Sequence, residues 1–500
     1  MFSRVLIANR GEIAVRIQQT LQAMGIATVA VYADPDISAP HVAMANAAYP
    51  LHGDSAKDTY LNVGELLEVA RESGAEAVHP GYGFLSESPA FARACAAAGL
   101  VFIGPTPDSM EALGDKVRSK EIAALAGVPT VPSSAVLDGV GADAQGFVEQ
   151  WGFPLLVKAA AGGGGRGMRL VDGPDQLAQA LESASREAQA AFGDGRVFLE
   201  RYLQHPRHIE FQILADGRGH VIHLLERECS IQRRHQKLIE ETPSPAMSPD
   251  LRRRMGEAAV ALAKAAGYVN AGTAEFLLDP DTEEFYFLEV NARLQVEHPV
   301  TEAILGMDIV AWQARIAAGE ALDIAQEDVR SLGHAIECRI YAEDPYSGFL
   351  PSTGRLLRWR PPTGPGLRLD SGVDEGYDVS SHYDALLAKL VAWGPDREAS
   401  LKRMEGALRR FPVLGLVTNV PFLRRVVTHS GFTTGAYNTA FLDDNPDLLQ
   451  APQITEKDEV ARSLGAWATA NRTSTAARSP SLAPVDDGSP WRQAGPRRLP

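Results

Sequence analysis

The residues best suited to chemistry lie in one run, Glu289–Pro299, directly after the apolar stretch Phe285–Leu288. In an extended strand, alternate side chains share a face. The side chains on one face would be those of Glu289, Asn291, Arg293, Gln295 and Glu297. A solvated edge strand is the simpler interpretation, but such faces are typically Lys, Glu and Thr without this mixture. The run therefore predicts an active-site floor, with carboxylates for a metal, an arginine for an anion and a final glutamate as base.

A further carboxylate, Glu275, lies in the apolar stretch Ala274–Leu278. The turn residues Asp279–Asp281 follow it and predict a β-hairpin with the strand that ends at Glu289. Cross-strand neighbours on one face have Cβ atoms about 5 Å apart, so the two carboxylates would be able to hold common cations. Oxygen ligands of this kind suit Mg²⁺ or Mn²⁺. A surface charge pair is the alternative.

The run Gly162–Gly167 follows an apolar strand that carries Lys158. Glycines allow the backbone to approach a phosphate closely and to donate N–H groups to it. Because no Gly-Lys-Ser/Thr closes the run, it is not a Walker A loop, and it predicts a flexible flap over phosphates. A loop that is merely flexible is the alternative. Lys116 is a second candidate for phosphate binding, although a lysine in that setting is more often a surface residue.

Two further patterns indicate anion binding. Gln232–Lys237 is a dense polar run that fits either a small anion or nucleotide sugar, or a solvated turn. Arg339 lies in the otherwise apolar stretch Ile336–Ile340, where a guanidinium needs a partner such as an anionic ligand. The first strand–helix junction, Ala8–Glu12, has a single glycine, so no nicotinamide dinucleotide site is predicted there.

The composition is that of a globular protein and limits the possible partners. The chain has 500 residues, 45% of them hydrophobic, and a formal net charge of −15 at pH 7. This charge argues against broad binding to nucleic acids or anionic membranes. The three cysteines are far apart and lack metal-ligand spacing, which fits a reducing compartment. With no signal peptide or bilayer-spanning apolar stretch in the sequence, we expect a cytoplasmic protein.

Several domains are needed to position these residues. Strand and helix patterns alternate up to about residue 105, which predicts an N-terminal α/β unit with a doubly wound parallel sheet. An α+β unit with a small lid and a C-terminal mixed β domain would follow. Beyond them the periodicity weakens, which predicts a helical extension near Lys457–Ala470 and then a mobile tail. The predicted boundaries are 1–115, 116–330 with the lid at 131–203, 331–445 and 446–500.

Five signatures carry a resemblance to a known family. They are Leu6–Ala14, His79–Glu87, Gly162–Met168, Glu226–Lys237 and Glu289–Thr301. With them the chain resembles the biotin carboxylase subunit of biotin-dependent carboxylases, an ATP-grasp enzyme. The resemblance covers about 4–444 and implies that the second unit is the ATP-grasp lid and core.

The resemblance implies roles for individual residues. The residues that would bind ATP are Lys116, Lys158, Gly164, Gly165, Glu200, Arg201, Tyr202, Leu203, His208, Gln232, His235 and Leu277. Those that would bind two Mg²⁺ or Mn²⁺ ions are Glu275, Glu289 and Asn291. Those that would bind bicarbonate are Lys237, Arg293, Gln295 and Val296. Glu297 would be the base, and Arg339 and Tyr82 would contact biotin; the implied catalytic residues are Arg293, Glu297, Lys237 and Arg339.

The implied reaction is the ATP-dependent carboxylation of biotin by bicarbonate through carboxyphosphate. The sequence has no Ala-Met-Lys-Met biotinylation site, so the biotin is expected on a carrier protein or on a missing part of a longer chain. The implied partners are that carrier, a carboxyltransferase and a second copy of the chain. The final acceptor, acetyl-CoA or propionyl-CoA for example, is not specified.

Two other functions are alternatives: a different ATP-grasp ligase, and a non-catalytic nucleotide-binding subunit. Both would share the nucleotide and metal residues. Biotin carboxylation is favoured by four residues that match its bicarbonate and biotin side. They are Arg293, Val296, Glu297 and Arg339.

Overall fold

The computed structural model describes residues 1–137, 142–160 and 168–453. Met1–Leu449 form one compact unit, and the remainder of the chain is a second unit that is described only as far as residue 453. Two predicted features lie outside the described residues, namely the glycine run with Gly164 and Gly165 and the extension and tail beyond 453. The division at 115, 330 and 445 stays a prediction.

The N-terminal part is a five-stranded parallel sheet with strand order β3-β2-β1-β4-β5. Val5 and Ile7 pack in one apolar cluster with helix α1, whereas Leu6 and Ala8 pack in another with α3 and α4. Helices therefore cover both faces, and the doubly wound sheet predicted here is confirmed. The elements are β1 (Arg4–Ile7), α1 (Gly11–Ala23), β2 (Ala27–Tyr32), α2 (Pro40–Met44), β3 (Ala47–Pro50), α3 (Val63–Ser73), β4 (Ala77–His79), α4 (Pro89–Ala97), β5 (Val101–Phe102), α5 (Pro107–Gly114) and α6 (Lys116–Leu125).

The predicted lid segment contains a three-stranded antiparallel sheet with the order β7-β6-β8. Leu155 and Val157 of the middle strand pack against Leu177 and Leu181 of a long helix, which gives this sheet an apolar cluster of its own. The elements are α7 (Ala142–Trp151), β6 (Leu155–Ala159), β7 (Met168–Val171), α8 (Pro174–Phe192) and β8 (Val197–Arg201).

The central feature is an eight-stranded antiparallel sheet whose last two strands come late in the chain, namely β19 (Leu367–Ser371) and β21 (Leu386–Gly394). Its strand order is β13-β12-β9-β10-β11-β14-β21-β19. Strands from the predicted C-terminal domain thus extend the sheet of the preceding domain. Its strands and helices are β9 (Arg207–Ala215), β10 (Val221–Arg233), β11 (Gln236–Thr242), α9 (Pro249–Ala265), β12 (Asn270–Leu278), β13 (Phe285–Asn291), α10 (His298–Leu305), α11 (Ile309–Ala317) and β14 (His334–Tyr341).

The rest of the described chain adds short antiparallel ribbons and helices beside this sheet. They are β15 (Glu343–Asp344), β16 (Leu350–Pro351), β17 (Gly354–Arg355), β18 (Arg358–Trp359), β19 (Leu367–Ser371), β20 (Asp378–Val379), β21 (Leu386–Gly394), α12 (Arg397–Arg409), β22 (Val413–Leu414), α13 (Val420–Thr428), α14 (Ser430–Thr434) and α15 (Phe441–Asp444). None of the helices in the described ranges is both long enough and apolar enough to cross a membrane. All three cysteines are buried free thiols.

The prediction that the chain stays extended from Glu289 to Glu297 is wrong. Strand β13 ends at Asn291, and helix α10 begins at His298 with Glu297 as its N-terminal capping position. Pro299 explains the change, since proline has a fixed φ that suits the first turn of a helix. The buried Leu294 fixes the intervening loop to the core. The polar side chains still converge, but a loop brings them together rather than one face of a strand.

Charged side chains are buried between the strands of the large sheet. Arg227 is 0% exposed and donates to Glu210, Gln212 and Thr273. The cost of burying the Arg227 charge is offset because each partner is a fixed acceptor in the same sheet, on the adjacent strand β9 or on β12 beyond it. These groups lie directly beneath the candidate site and hold its strands in register.

Glu241 of β11 makes a second buried ion cluster, which connects the sheet to the C-terminal helices. Its carboxylate accepts from His334 at 2.6 Å, from Arg397 at 2.7 and 2.8 Å, and from the Tyr437 hydroxyl. Although burial alone would raise its pKa, the hydrogen bonds from His334 and Arg397 lower the pKa of Glu241 from 4.5 to about 2.

We predict that Glu241 makes the C-terminal part of the fold sensitive to acid. Its folded pKa lies below its unfolded one, so it stabilises the protein above pH 4.5 and this contribution, about 3 kcal/mol, is lost as the pH falls toward 2. Glu241→Gln should lower the free energy of unfolding at pH 7 by about 3–5 kcal/mol, because it leaves the charge of Arg397 without a carboxylate partner. Urea unfolding between pH 7 and pH 2.5 should show the difference from wild type shrinking below pH 4.5.

The matched control is Glu398→Gln, which removes a carboxylate from a fully solvated pair with Lys402. This control should leave the free energy of unfolding nearly unchanged at any pH, because solvent screens an exposed pair. A difference between Glu241→Gln and wild type that stays constant down to pH 2.5 would contradict the prediction.

Candidate functional site

The β12–β13 hairpin places the two predicted metal carboxylates side by side. Glu275 and Glu289 are register partners, as the sequence predicted, and Thr273 is the partner of Asn291. Burial and the neighbouring Glu275 raise the pKa of Glu289, against the opposing effect of Lys116. Two adjacent carboxylates with mutual repulsion fit a divalent cation, since its charge would remove that repulsion.

Asn291 is held differently from a simple metal ligand. Its amide nitrogen donates to Glu275 Oε1 at 2.7 Å, and its oxygen accepts from Arg293 Nη2 at 3.1 Å. The same Glu275 oxygen accepts from Gln295 at 3.2 Å, and the other oxygen faces His208 Nε2 at 2.8 Å. Glu275 is therefore the acceptor that connects the predicted metal, nucleotide and bicarbonate residues.

Lys237 lies at the centre of the site. A tight turn with positive φ at Arg234 and His235 reverses the chain between β10 and β11, which turns Lys237 back over the sheet. Its ammonium donates to Glu275 at 2.8 Å, to Glu297 at 2.7 Å and to Glu210. Despite burial, these three carboxylates raise the pKa of Lys237 well above its usual value, so the lysine is charged.

A polar row on β9 supports this centre. His208, Glu210 and Gln212 alternate along the strand and share a face. Among the described residues, His208, Glu210 and Glu275 offer ligand atoms within 4.8 Å of one another, a spacing that also suits a metal ion. Glu275 thus belongs to two possible ligand sets, one with Glu289 and one with β9.

Arg293 lies in the loop after β13 and uses every edge of its guanidinium. Nε donates to Glu87 at 3.0 Å, and Nη1 donates to Gln295 Oε1 at 2.8 Å. Glu87 also accepts from the backbone N–H of Ala292 at 3.1 Å. The N-terminal part of the chain thereby fixes the loop. Although burial opposes the shift, the charges of Glu87, Glu297 and Glu275 raise the pKa of Arg293.

Glu297 is fully buried and connects two cations. Oε1 accepts from Lys237, and Oε2 accepts from Arg339 Nη2 at 2.9 Å. Burial would raise its pKa, but Lys237, Arg339 and Arg227 together hold the pKa of Glu297 well below its usual range. The carboxylate is ionised at neutral pH and is able to accept a proton.

The partner that the sequence requires for Arg339 is supplied by the chain itself. Besides Glu297, Arg339 donates through Nε to Glu240 at 2.6 Å. Burial is the main reason that the pKa of Glu240 is raised to about 7, with Arg339 opposing the shift and Glu297 adding to it. Of the two acids beside Arg339, Glu297 thus has the lower pKa and ionises first.

Tyr82 and Val296 are joined to the site indirectly. The Tyr82 hydroxyl donates to Glu12 at the start of α1, and the Val296 carbonyl accepts from Lys389 at 3.0 Å. Lys389 also lies 3.1 Å from Glu12 Oε2. The predicted biotin tyrosine and the predicted bicarbonate backbone are therefore connected through a single buried lysine.

At the other end of the site, Lys158 and Lys120 share Glu200. Lys158 donates to one oxygen of Glu200, and Lys120 donates to the other at 2.9 Å. Lys116 is the first residue of α6, and burial together with the charge of Lys158 lowers its pKa, while Glu289 opposes the shift. This cationic group is suited to polyphosphate and lies next to the metal carboxylates.

Two of the remaining nucleotide candidates, Leu203 and Leu277, belong to an apolar patch. Leu203 packs in a small cluster with Val131 and Tyr286, and Leu277 packs against it. Such a patch suits the face of a purine ring. Of the other candidates, Gln232 is buried and Tyr202 is half-buried. The guanidinium of Arg201 lies over the ring of Trp151. Burial and the charges of Lys158 and His208 lower the pKa of His235.

Sequence reasoning missed five residues that hold the site, of which two had a signal. Glu210 lies on the polar face of a strictly alternating strand. Lys389 is an isolated cation in the otherwise apolar strand β21, which is the pattern that identified Arg339. Arg227 lies between two glutamates, so its charge does not stand out in the sequence. Glu87 lies within a recognised signature without a role of its own, and Lys120 lies on a helix whose sequence does not distinguish it.

Comparison with known proteins agrees with this geometry. Models of three domains match the chain: "Biotin carboxylase, N-terminal domain" at 1–110, "Carbamoyl-phosphate synthase L chain, ATP binding domain" at 115–325 and "Biotin carboxylase C-terminal domain" at 337–444. A protein named biotin carboxylase from Nostoc sp. is 49% identical over 89% of this chain and 99% of its own length.

Longer relatives match as well. The mitochondrial methylcrotonoyl-CoA carboxylase subunit alpha of Dictyostelium discoideum is 46% identical over 99% of this chain, which spans 70% of that protein. Among solved structures, the biotin carboxylase domain dimer of Hydrogenobacter thermophilus 2-oxoglutarate carboxylase, in complex with MgADP, ADP and bicarbonate, is 47% identical with a TM-score of 0.86. It covers 91% of this chain and 100% of its own. The matched domains and the full-length similarity lead to one conclusion: the chain belongs to the biotin carboxylase family.

Proposed function

We propose that this chain transfers a carboxyl group from bicarbonate to biotin with hydrolysis of ATP to ADP and phosphate. The observation that carries the proposal is the position of Glu297, whose two oxygens bind Lys237 and Arg339. A base between an anion-binding lysine and a second buried cation suits a reaction with two adjacent half-sites. An ATP-grasp ligase that makes only an acyl phosphate has no need of the second cation.

Bicarbonate would bind between Lys237 and Arg293, with Gln295 and the Val296 backbone completing the pocket. Two cations lower the energy of the anion and orient one of its oxygens toward the γ-phosphate. Glu297 takes the bicarbonate proton as that oxygen forms a bond to phosphorus and ADP leaves. The product is carboxyphosphate.

The ionisation of Glu297 suits this order of events. Lys237 and Arg339 keep it deprotonated before the anion arrives. A bound bicarbonate places a negative charge beside the same cations, which weakens their hold on Glu297 and raises its proton affinity. The carboxylate therefore becomes a stronger base only when its substrate is present.

The ATP phosphates would bind at the cationic end, with Lys158 and Lys116. Glu275 and Glu289 are suited to hold Mg²⁺, Asn291 can contribute its amide oxygen, and Mn²⁺ and a second ion fit the same oxygen ligands. The cation would neutralise charge on the transferring phosphoryl group. Leu203 and Leu277 would contact the adenine ring.

The biotin half-site would lie beside Arg339 and Tyr82. Carboxyphosphate decays to CO₂ and phosphate, the phosphate takes the proton from biotin N1, and Arg339 stabilises the enolate oxygen that results. The biotin would arrive on a carrier protein or domain, the chain would act as a homodimer, and a carboxyltransferase would choose the acceptor. The names of the similar proteins cover several carboxylases, which supports a choice of acceptor made by that partner rather than by this chain.

The decisive test of the proposal is ADP release from MgATP and bicarbonate, measured with and without free biotin. Strict dependence on biotin is the expected result. Dependence on an amine or amino acid instead would identify a different ligase, and binding of ATP without any turnover would identify a nucleotide-binding subunit.

We predict that Glu297→Ala and Arg293→Ala each lower biotin-dependent ADP release by at least 100-fold, because a positioned base or oxyanion partner contributes about that much. Nucleotide affinity, measured by calorimetry with MgADP, should change less than about threefold because neither side chain faces the phosphate lysines. The control is Glu257→Ala, an exposed carboxylate on α9. Full turnover by either site variant would refute its assigned role.

We also predict that Glu289→Gln weakens Mg²⁺ binding and so raises the Mg²⁺ concentration that the reaction needs. Replacing one of two paired carboxylates by an amide removes a charged ligand, so the Mg²⁺ concentration for half-maximal ADP release should rise about tenfold or more. Glu283→Gln, an exposed change in the same hairpin, should leave that concentration unaltered. An unchanged Mg²⁺ titration for Glu289→Gln would show that the cation is held elsewhere.

A further inference from the structure

Lys389 is a fully buried lysine in the otherwise apolar strand β21. A buried ammonium is costly unless it is paired. In the sheet, Lys389 is the register partner of Arg339 on β14 and of Asp370 on β19. Its ammonium lies 3.1 Å from Glu12 Oε2, 3.8 Å from Asp370 Oδ2 and 3.0 Å from the Val296 carbonyl.

The contact with Val296 reaches the catalytic base through one peptide group. The Val296 carbonyl and the Glu297 N–H belong to the same planar unit. A hydrogen bond that fixes the carbonyl therefore fixes the direction of the N–H and the position of the Glu297 Cα. This peptide lies in the loop that replaces the expected strand, so no sheet hydrogen bonds of β13 hold it.

The contact with Glu12 reaches Tyr82. One Glu12 oxygen faces Lys389, and the other accepts from the Tyr82 hydroxyl. The Tyr82 ring centroid lies 5.9 Å from the Lys389 ammonium. The position of Glu12 is itself restricted, because a Cβ at Gly372 would lie 2.5 Å from the Glu12 backbone nitrogen. A glycine at 372 is what allows β19 to end against the start of α1.

We propose that Lys389 is a positioning residue for carboxylation, which orients Glu297 through the 296–297 peptide and Tyr82 through Glu12. The proposal rests on the proposed function. Lys389 has no contact with the residues assigned to the phosphates or the metal, among those that the structure describes. It acts on the bicarbonate and biotin half-sites and leaves the nucleotide half-site unaffected.

A merely structural role would have a different signature. If Lys389 only neutralised Glu12 and Asp370, its loss would weaken the packing of α1, β19 and β21 and would lower all kinetic constants together. The kinetic constants for bicarbonate, biotin and ATP distinguish the two roles.

The test is steady-state ADP release by Lys389→Met, which keeps the apolar stem and removes the ammonium. We expect kcat/KM for bicarbonate to fall about 100-fold, the loss that a displacement of about 1 Å can cause, while KM for ATP stays within twofold. Lys402→Met, an exposed lysine on α12, is the matched control and should behave as wild type. A kcat/KM for bicarbonate within twofold of wild type, or a KM for ATP that rises as much as kcat/KM for bicarbonate falls, overturns the proposal.

Glu12→Gln is the second variant and keeps the test decisive if Lys389→Met does not fold. It leaves the Lys389–Val296 contact in place but changes the partner of Tyr82. KM for biotin should rise at least fivefold, with kcat/KM for bicarbonate within twofold at saturating biotin. An unchanged KM for biotin, or a loss for bicarbonate, overturns the proposal. Wild-type protein without biotin-dependent ADP release would instead defeat the proposed function, before any variant is compared.

Discussion

The whole site depends on one buried ammonium surrounded by three carboxylates. Lys237 binds Glu210, Glu275 and Glu297 at once. Without this charge the three acids would repel one another in a region closed to water, and burial would protonate them. The lysine therefore keeps Glu297 ionised and Glu275 available to a cation. The same ammonium would also attract an anionic substrate that enters the site.

The other cations of the site are also paired with carboxylates before any substrate binds. Lys158 is paired with Glu200, Arg293 with Glu87, and Arg339 with Glu240 and Glu297. Each cation is thus held in position before a substrate arrives, so little rotamer freedom is lost on binding. Each also has a carboxylate partner, so that its charge is compensated in the absence of an anionic substrate.

The sequence was a good guide to residues whose chemistry conflicts with their surroundings. Arg339 in an apolar strand, and Glu275 opposite Glu289 across a predicted hairpin, were both identifiable because local patterns determine them. The loop from Ala292 to Glu297 was not identifiable from the sequence, since alternation of polar residues fits a strand and a loop equally. Only the helix that starts at His298 decides between the two.

Contacts between distant parts of the chain were the second feature that the sequence did not predict. The N-terminal parallel sheet was predictable because each βα unit is local, and β12 and β13 are joined by a short turn. Nothing in the periodicity of β14 indicates that it lies beside β11, about a hundred residues earlier. For the same reason the joining of Lys389 to Val296 and Glu12, which come from three distant parts of the chain, was beyond sequence reasoning.

The continuous eight-stranded sheet restricts where the chain can be divided into separate fragments. The division that the sequence suggests near residue 330 passes between β11 and β14, which are hydrogen-bonded neighbours. A fragment cut there would expose two complementary strand edges, and such edges promote aggregation. Exchange of the C-terminal segment between related enzymes would therefore have to preserve the pairing of Ile239 with Cys338 and Thr242 with Ala335. The family models divide the chain between residues 325 and 337, whereas the sheet and the compact unit Met1–Leu449 continue across that border.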